Sequence, residues 1–427
     1  MRKFAVILVL SVIIPLSAFP EITLGYCLDK AMENYPLIKK YGIVEKTSAL
    51  SLSDINRSWF PRVGVYAQAT VQNVVPEFPQ ALKDVLVQLG QEAEGLGHMQ
   101  YKAGVDLSQT IWDGGVSKAQ RNIERASASE RKAELDVRMY AVREKVMDLY
   151  FGILLMDEQI AQTENTISLM KANLSLMESM LRGGVAMQSD VDMLQAQLLT
   201  MSQQLVSARS AVGAYRDVLS VYVGENLDNK TLLKPDATVP ALLESARPEL
   251  RLFEARQRLN AVRYNAVEAS VMPRVGFFAQ AYYGYPGINY FKSMVDRSLS
   301  FNMLAGVRIA WNIDSFYTKD NSRRKLSLSC DDILADRDIF LFSTRMQTAS
   351  QTEEIEGIRA VMADDERIVA LRGSVRRAAE SQLKNGIIDA TALLSKITDE
   401  NQARLAASYH EIQLIQSIYK LKNTLNR

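Results

Sequence analysis

The sequence has few of the residues that build catalytic and metal sites, and no excess of charge of either sign. Its 427 residues include two Cys, two His and 11 Pro, with 50 Lys and Arg against 49 Asp and Glu. Phosphate binding requires clustered Lys and Arg, so the balanced charge argues against nucleic acid as the main partner. Two Cys far apart in the chain form neither a disulfide framework nor a thiolate metal site. We expect no metal, no cofactor and no nucleic-acid partner.

The first 18 residues have the pattern of a secretory signal peptide. Arg2 and Lys3 precede an apolar run from Phe4 to Leu16, and Ser17 and Ala18 offer small residues for cleavage. A membrane anchor is the alternative, but the run is shorter than the roughly 20 residues that a spanning helix needs. No later stretch is long and apolar enough either, so we expect membrane insertion, if any, to use strands.

The sequence repeats itself at two constant offsets. Pro61-Arg62-Val63-Gly64 recurs 212 residues later as Pro273-Arg274-Val275-Gly276. Gly184-Val185 recurs 202 residues later as Gly386-Ile387. An ordered series of matches indicates an internal duplication. The difference between the offsets arises between residues 70 and 104, where the first copy is predicted to have the longer loop.

Each copy contains two segments in which side chains alternate between apolar and polar, which predicts strands with one polar face. The first segment of each copy follows Pro61 or Pro273. The second segment runs from Tyr101 to Trp112 in the first copy and ends near Ile313 in the second copy. Their lengths are close to the roughly 9 to 11 residues with which a tilted strand crosses a bilayer. The polar side carries Arg62, Gln68, Asp106, Ser108, Arg274, Gln280, Arg308 and Asn312. Trp59, Trp112 and Trp311 lie where strands meet helical segments, which favours an interfacial aromatic girdle over ordinary core packing.

Long heptad patterns separate the strand pairs and predict antiparallel helical hairpins. One helix is predicted from Val116 to Arg182, and its partner runs from Met187 to Val223 after a tight Gly turn. A further helix is expected over 241–271. The second copy predicts a continuous helix over 316–385 and a return over 389–427, completed by residues 23–59.

Four strands cannot close a barrel, because their unpaired edges would face lipid. Several copies of the chain must therefore combine. Three chains would give about twelve strands, within the range of known membrane barrels, and four chains remain an alternative.

These features together resemble the TolC-like outer membrane efflux family over essentially the whole mature chain. The resemblance is carried by Asn34-Tyr35-Pro36, Trp59-Phe60-Pro61, the segment from Gly104 to Gly115, and Gly184-Val185 followed by Ser189-Asp190-Val191. It implies a homotrimer in the outer membrane of a Gram-negative cell, with a twelve-stranded β-barrel of four strands per chain. A coiled-coil α-helical barrel would continue it into the periplasm. Such proteins are exit ducts joined to an inner-membrane pump through a periplasmic adaptor protein, with outer-membrane lipid around the barrel.

The resemblance assigns a role to each segment. We expect a signal peptide (1–18), N-terminal periplasmic helices (19–60), a first strand pair with an extracellular loop (61–112), a first helical hairpin (113–223), an equatorial loop (224–240), an ascending helix (241–272), a second strand pair with an extracellular loop (273–313) and a second hairpin (314–427).

The two helical turns farthest from the membrane would contact the adaptor and form the gate. The corresponding residues are Arg182, Gly183, Gly184, Val185, Asp190, Val191, Lys384, Asn385, Gly386 and Ile387. Asp190 and Asp192 are the candidate gate. Helix N-terminal stabilisation is an equally good explanation for these carboxylates. Ala392 and Leu393 stand where the second turn would repeat Asp and Val, which puts an acidic contribution from that turn in doubt.

Two other classes of protein remain alternatives. An enzyme is disfavoured because His98 and His410 have no visible nucleophile or metal partner. A non-conducting coiled-coil spacer or adhesin would not need the polar strand face. The pattern therefore favours a duct of an efflux or type I secretion system, without indicating the transported substrate. The helical register also predicts that Cys27 and Cys330 remain unpaired thiols.

Overall fold

The structure is a computed structural model that describes residues 21–90, 95–228, 230–240 and 245–426; the predicted signal peptide lies outside them. Within this range the elements are, in chain order, α1 (Leu24–Asn34), α2 (Ile38–Arg57), β1 (Arg62–Val71), α3 (Gln80–Gln88), β2 (Met99–Trp112), α4 (Val116–Arg182), α5 (Gln188–Val223), α6 (Pro248–Ser270), β3 (Arg274–Tyr285), α7 (Tyr290–Val295), β4 (Ser300–Ala310), α8 (Ser315–Met362), α9 (Asp365–Lys384) and α10 (Ala390–Leu425).

The chain forms two compact units. One comprises Met1–Tyr41, Ala133–Arg251 and Arg337–Arg427, and the other comprises Gly42–Lys132 and Leu252–Asp336. The element order of the first half, a helix, two strands with a short helix between them and a helical hairpin, recurs in the second half. This recurrence is what the sequence repeats predict.

The second unit contains a four-stranded antiparallel meander in the order β1-β2-β3-β4. Its register pairs Val65 with Val105, and Val105 with Ala281. The four predicted strands are therefore present. A register shift between Thr110 and Trp112 marks a bulge at the end of β2. The bulge lies just before α4, whose first turn is capped by Asp113: its carboxylate accepts the backbone N–H groups of Gly115 and Ser117 at 2.9 and 2.6 Å.

Each loop between paired strands contains a short helix. α3 lies between β1 and β2, and α7 lies between β3 and β4. Val75, Phe78, Leu96, Tyr285 and Met294 form a small apolar cluster in these loops. Tyr285 also accepts the backbone N–H of Gly97 on its hydroxyl oxygen at 2.6 Å. The clustered side chains give both loops an apolar core of their own.

The first unit has its main core where α1, α4, α5 and α10 meet the segment after α5. Cys27, Tyr150, Phe151, Leu219 and Ile412 are completely buried there. The Tyr150 hydroxyl lies 2.6 Å from the Leu233 carbonyl oxygen and 2.9 Å from that of Ile22. It joins the parallel bridge between Ile22 and Leu232 to α4. The segment after α5 is therefore anchored to the helices. Cys27 and Cys330 are both free, as predicted.

Three predicted boundaries are wrong. The helix expected over 241–272 begins only at Pro248: residues 245–247 are not helical, and 241–244 lie outside the described residues. Proline favours the first helical position, since its missing N–H would have no partner there. The helix predicted over 316–385 is interrupted at Ala363 and Asp364. The last strand ends at Ala310 instead of continuing to Ile313.

A further finding concerns hydropathy. Among the described residues, no helix combines the length and apolar character that crossing a membrane would require.

Candidate functional site

The first predicted adaptor-contacting turn closes the hairpin of α4 and α5 with a left-handed glycine. Gly184 has φ +74°, a conformation that side chains with a Cβ rarely adopt. The backbone N–H of Val185 donates to the Met180 carbonyl at 2.9 Å, a six-residue closure typical of helix C-termini. The glycine is thus required by backbone geometry, and nothing lies within 4 Å of a Cβ placed on it.

The second turn repeats this geometry between α9 and α10. Gly386 has φ +69°, and the N–H of Ile387 donates to the Gln382 carbonyl at 2.9 Å. The sequence offset of 202 residues therefore corresponds to the same backbone hydrogen bond in both hairpins. Arg182 and Lys384 stand in the last turns before the two glycines, where a positive charge favours the negative end of the helix dipole.

An acidic residue in each turn, Asp190 or Asp389, caps the helix that follows. Asp190 accepts the N–H of Met187 at 3.1 Å, and Asp192 accepts the side-chain amide of Gln188 at 2.7 Å. In the second turn Asp389 accepts the N–H of Ala392 at 2.8 Å. The second turn therefore also has a carboxylate. It belongs to Asp389, the residue before α10, whereas Asp190 is the third residue of α5. The 202-residue offset leads only to Ala392, the position equivalent to Asp190, and so does not indicate Asp389.

The turns present an apolar surface on top of a buried cluster. Val185, Met187 and Ile387 are 67%, 72% and 69% exposed. Beneath them Val191 and Leu393 belong to a cluster that joins the two hairpins, together with Ile167, Met170, Met177, Leu194, Met201, Ala379, Leu383, Ala390 and Ile397. Val191, predicted to contact the adaptor, is only 6% exposed and supports the turn from inside.

An ion cluster links α9 to α10, and no local sequence pattern indicates it. The buried Glu400 carboxylate accepts hydrogen bonds from Arg376 and, at 2.8 Å, from Arg404; Arg376 also donates to Glu380 at 2.5 Å. Burial alone would raise the pKa of Glu400. The two guanidinium groups outweigh it and hold that pKa below its ordinary value. The cluster is therefore charged at neutral pH.

The sheet places the predicted polar residues on one face. Cross-strand pairing joins Arg62 to Ser108, Gln68 to Lys102, and Asp106 to Gln280. The Gln280 amide donates to the Asp106 carboxylate at 2.8 Å. Residues directly opposite each other in a ladder share a face, and side chains two residues apart lie on the same side. Arg274 and Arg308 belong to this face too, since Arg308 pairs with Gly276. Asn312 lies beyond the end of β4, so its predicted place on the strand is wrong.

The three tryptophans lie at strand ends, but they do not have the same environment. Trp59 lies in the turn before β1, Trp112 is the last residue of β2, and Trp311 directly follows β4. The Trp311 indole N–H donates to the Val271 carbonyl at 2.9 Å. Trp112 and Trp311 are 45% and 55% exposed. Both indole rings are therefore partly exposed on the surface of the chain.

Each histidine has a polar partner within hydrogen-bond distance among the described residues. His98 Nδ1 lies 2.8 Å from the Gln72 carbonyl, and His410 Nδ1 lies 2.9 Å from the Asp365 carboxylate. No cluster of three or more His, Cys, Asp or Glu suited to a metal occurs in the part of the chain that the structure describes.

Part of the chain matches the model of a known protein family. A sequence model of the family described as outer membrane efflux protein matches residues 44–225. The predicted family resemblance is confirmed. The multidrug resistance outer membrane protein MdtP of Escherichia coli K12 is 22% identical over 297 residues, 65% of this chain. That match spans 59% of the length of MdtP. The predicted outer-membrane location agrees with the efflux family.

Solved structures of outer membrane proteins share the fold. VceC of Vibrio cholerae superposes with a TM-score of 0.66 at 13% identity, covering 94% of this chain and 95% of its own. The CmeC outer membrane channel of Campylobacter jejuni gives a TM-score of 0.64 at 14% identity, with 94% and 85% covered. The chain has the fold of these channels, with predominantly helical structure and a small sheet.

Proposed function

We propose that this protein is the outer-membrane exit duct of a tripartite export system, and not an enzyme. The observation that carries the proposal is the four-stranded meander with polar residues on one face and both outer strands, β1 and β4, unpaired within the described chain. Open strand edges are not tolerated in lipid, so the sheet requires further strands from other copies. The polar face would line a water-filled lumen and the opposite face would meet lipid.

Three copies would close a barrel of about twelve strands, within the known range. The hydrophobic residues on the opposite face, such as Val65 at 83% and Val63 at 65% exposure, support this orientation toward lipid. Trp112 and Trp311 would form part of the interfacial girdle, because tryptophan favours the membrane–water boundary. The loops with α3 and α7 would then be extracellular, and the helices periplasmic. The recurring element order supports an origin by duplication.

The two turns after α4 and α9 would bind the periplasmic adaptor protein that joins the duct to an inner-membrane pump. Their exposed Val185, Met187 and Ile387 offer apolar contact area, and Arg182 and Lys384 add charge. Asp192, which is exposed, would contribute to the gate together with Asp190, while Asp190 also caps its helix. The name of MdtP favours small-molecule efflux over protein secretion as the function of the duct.

The test combines the mass of the purified protein in detergent, by light scattering, with single-channel conductance in planar bilayers. A trimeric mass with discrete conductance is expected. An Asp190→Asn, Asp192→Asn variant should conduct more if these carboxylates bind a blocking cation or restrict the pore. A monomeric protein that does not conduct would overturn the proposal and favour a coiled-coil spacer.

A further inference from the structure

Three arginines meet in one cavity at the end of the sheet where the strands join the helices. Arg62 and Arg274 are the first residues of β1 and β3, and Arg308 lies two residues before the end of β4. All three line a cavity of about 360 Å³ that also includes Ser108 and Asp113. All three belong to the polar face. Arg274 and Arg308 are diagonal neighbours on adjacent strands, since Arg308 pairs with Gly276, a spacing of roughly 7 to 8 Å.

These arginines lack acidic partners. Within the described residues none of them takes part in an ion pair, whereas arginines elsewhere do, such as Arg323 with Glu268. The guanidinium of Arg308 lies 4.9 Å from the centre of the Phe278 ring, which holds it over the aromatic face without neutralising it. Their charges are therefore available to a solute.

The acidic groups nearby do not balance this charge. Asp113 lines the cavity, but both its oxygens are used by the N–H groups of Gly115 and Ser117. Asp106, farther along the polar face, accepts the Gln280 amide. The only other charged residue on that face of the described strands is Lys102, which lies 5.5 Å from the centre of the Tyr282 ring and adds positive charge. The polar face thus has four basic and two acidic groups when Asp113 is included.

The two copies differ at the position that creates the excess. By the 202-residue offset Arg308 corresponds to Asp106, and the two occupy the same place in the register, opposite Gly276 and Gly64. Arg62 and Arg274 correspond to each other. The second copy therefore has the base Arg308 where the first copy has the acid Asp106. Because Arg308 is next to Arg274, positive charge is concentrated at this end of the sheet.

We propose that this arginine cluster is an anion-selecting site of the lumen, for small solutes that carry carboxylate, phosphate or sulfonate groups. The inference rests on the proposed function, which turns the polar face toward the lumen. A trimer would repeat the cluster three times around the pore, where low-dielectric walls concentrate the field of fixed charges. Guanidinium groups also bind such oxyanions through paired N–H donors.

The test is the chloride to potassium permeability ratio, from reversal potentials under a KCl gradient, together with the block of the current by citrate. The triple variant Arg62→Gln, Arg274→Gln, Arg308→Gln should lower the ratio by about threefold or more and weaken the citrate block, because three charges per chain are lost. The matched control Arg62→Lys, Arg274→Lys, Arg308→Lys keeps the charges and should keep the ratio. The single variant Arg308→Gln, which disturbs the strands least, should shift the ratio in the same direction by less.

Each remaining outcome is decisive. An unchanged ratio in the triple Gln variant and in Arg308→Gln, or an equal loss in the Lys control, would overturn the anion-selecting site. The variant Lys102→Gln tests the position of the anion-selecting site. If it lowers the permeability ratio more than the triple Gln variant does, the assignment to this end of the strands is also overturned. Failure of the wild-type protein to conduct or to form trimers would instead contradict the proposed function.

Discussion

His410 on α10 is paired with Asp365, the first residue of α9, with 2.9 Å between Nδ1 and the carboxylate oxygen. Asp365 directly follows the interruption at Ala363 and Asp364. The side chains of Asp365 and His410 are only 13% and 24% exposed. The pair therefore fixes the start of α9 to α10, which is continuous at His410.

Loss of this pair should loosen the start of α9. We expect His410→Ala to lower the free energy of local opening there by about 1 kcal/mol, as for a partly buried hydrogen bond. His410→Asn, whose amide can occupy the Nδ1 position, should retain part of it. Hydrogen exchange of the amides over 365–370 measures the effect. Equal exchange in wild type and His410→Ala would show that the pair does not stabilise the junction.

Glu400 should make the pairing of α9 with α10 sensitive to acid. Its pKa is lowered in the folded protein, so its contribution is complete above the unfolded value of about 4.3 and is lost as the pH falls below that value through the folded pKa. The opening free energy of α9, obtained from hydrogen exchange after correction for the pH dependence of the intrinsic exchange rate, should therefore decrease in wild type as the pH falls below about 4.3. Glu400→Gln should cost about 2 kcal/mol at neutral pH and abolish this contribution.

A neighbouring ion pair provides the matched control. Asp399 precedes Glu400 on the same helix and lies 2.9 Å from Arg372, whose side chain is 50% exposed. Since exposed pairs contribute little, Asp399→Asn should change the opening free energy by less than about 1 kcal/mol. Equal effects of the two substitutions would contradict the assignment of stability to the buried carboxylate.

Substitution by alanine should have opposite effects on stability at the two turn glycines and at a glycine inside a helix. Gly184→Ala and Gly386→Ala should each destabilise their hairpin by about 1 to 2 kcal/mol, because alanine disfavours a positive φ. Gly213→Ala, inside α5 and equally free of neighbours within 4 Å, should stabilise it by about 1 kcal/mol. Thermal unfolding in detergent reports both signs. Stabilisation by Gly184→Ala would contradict the left-handed turn.

The two thiols should differ in reactivity. Cys27 is completely buried, and burial raises its pKa to about 12, whereas Cys330 is partly exposed. The thiolate is the reactive form, so a maleimide at neutral pH should label Cys330 first and Cys27 only after denaturation. Mass spectrometry under non-reducing conditions measures both steps. Rapid labelling of Cys27 in Cys330→Ser would place it outside the core.

The strands and the first hairpin were predictable because each follows a single simple period. The helix from Val116 to Arg182 has the bounds that its heptads predict, and the alternation after Pro61 and Pro273 marks the starts of β1 and β3. Periodicity reports a difference between the two faces of an element, and the apolar and polar residues of these elements keep to opposite faces.

The remaining features depend on contacts between distant parts of the chain. At the interruption between α8 and α9, only the acids Asp364, Asp365 and Glu366 hint at a new helix start. The cluster around Glu400 joins residues on two helices, and the arginine cavity joins three strands. Neither has a local sequence signature.

The even number of strands per chain has a consequence for assembly. Because β1 and β4 run in opposite directions, β4 of one copy would meet β1 of the next in the antiparallel sense in the proposed barrel, whatever the number of copies. Such junctions would all be alike and head-to-tail, the arrangement that generates a ring. Strand direction therefore leaves the copy number undetermined, and the curvature of the sheet and the packing between helices of adjacent copies must set it.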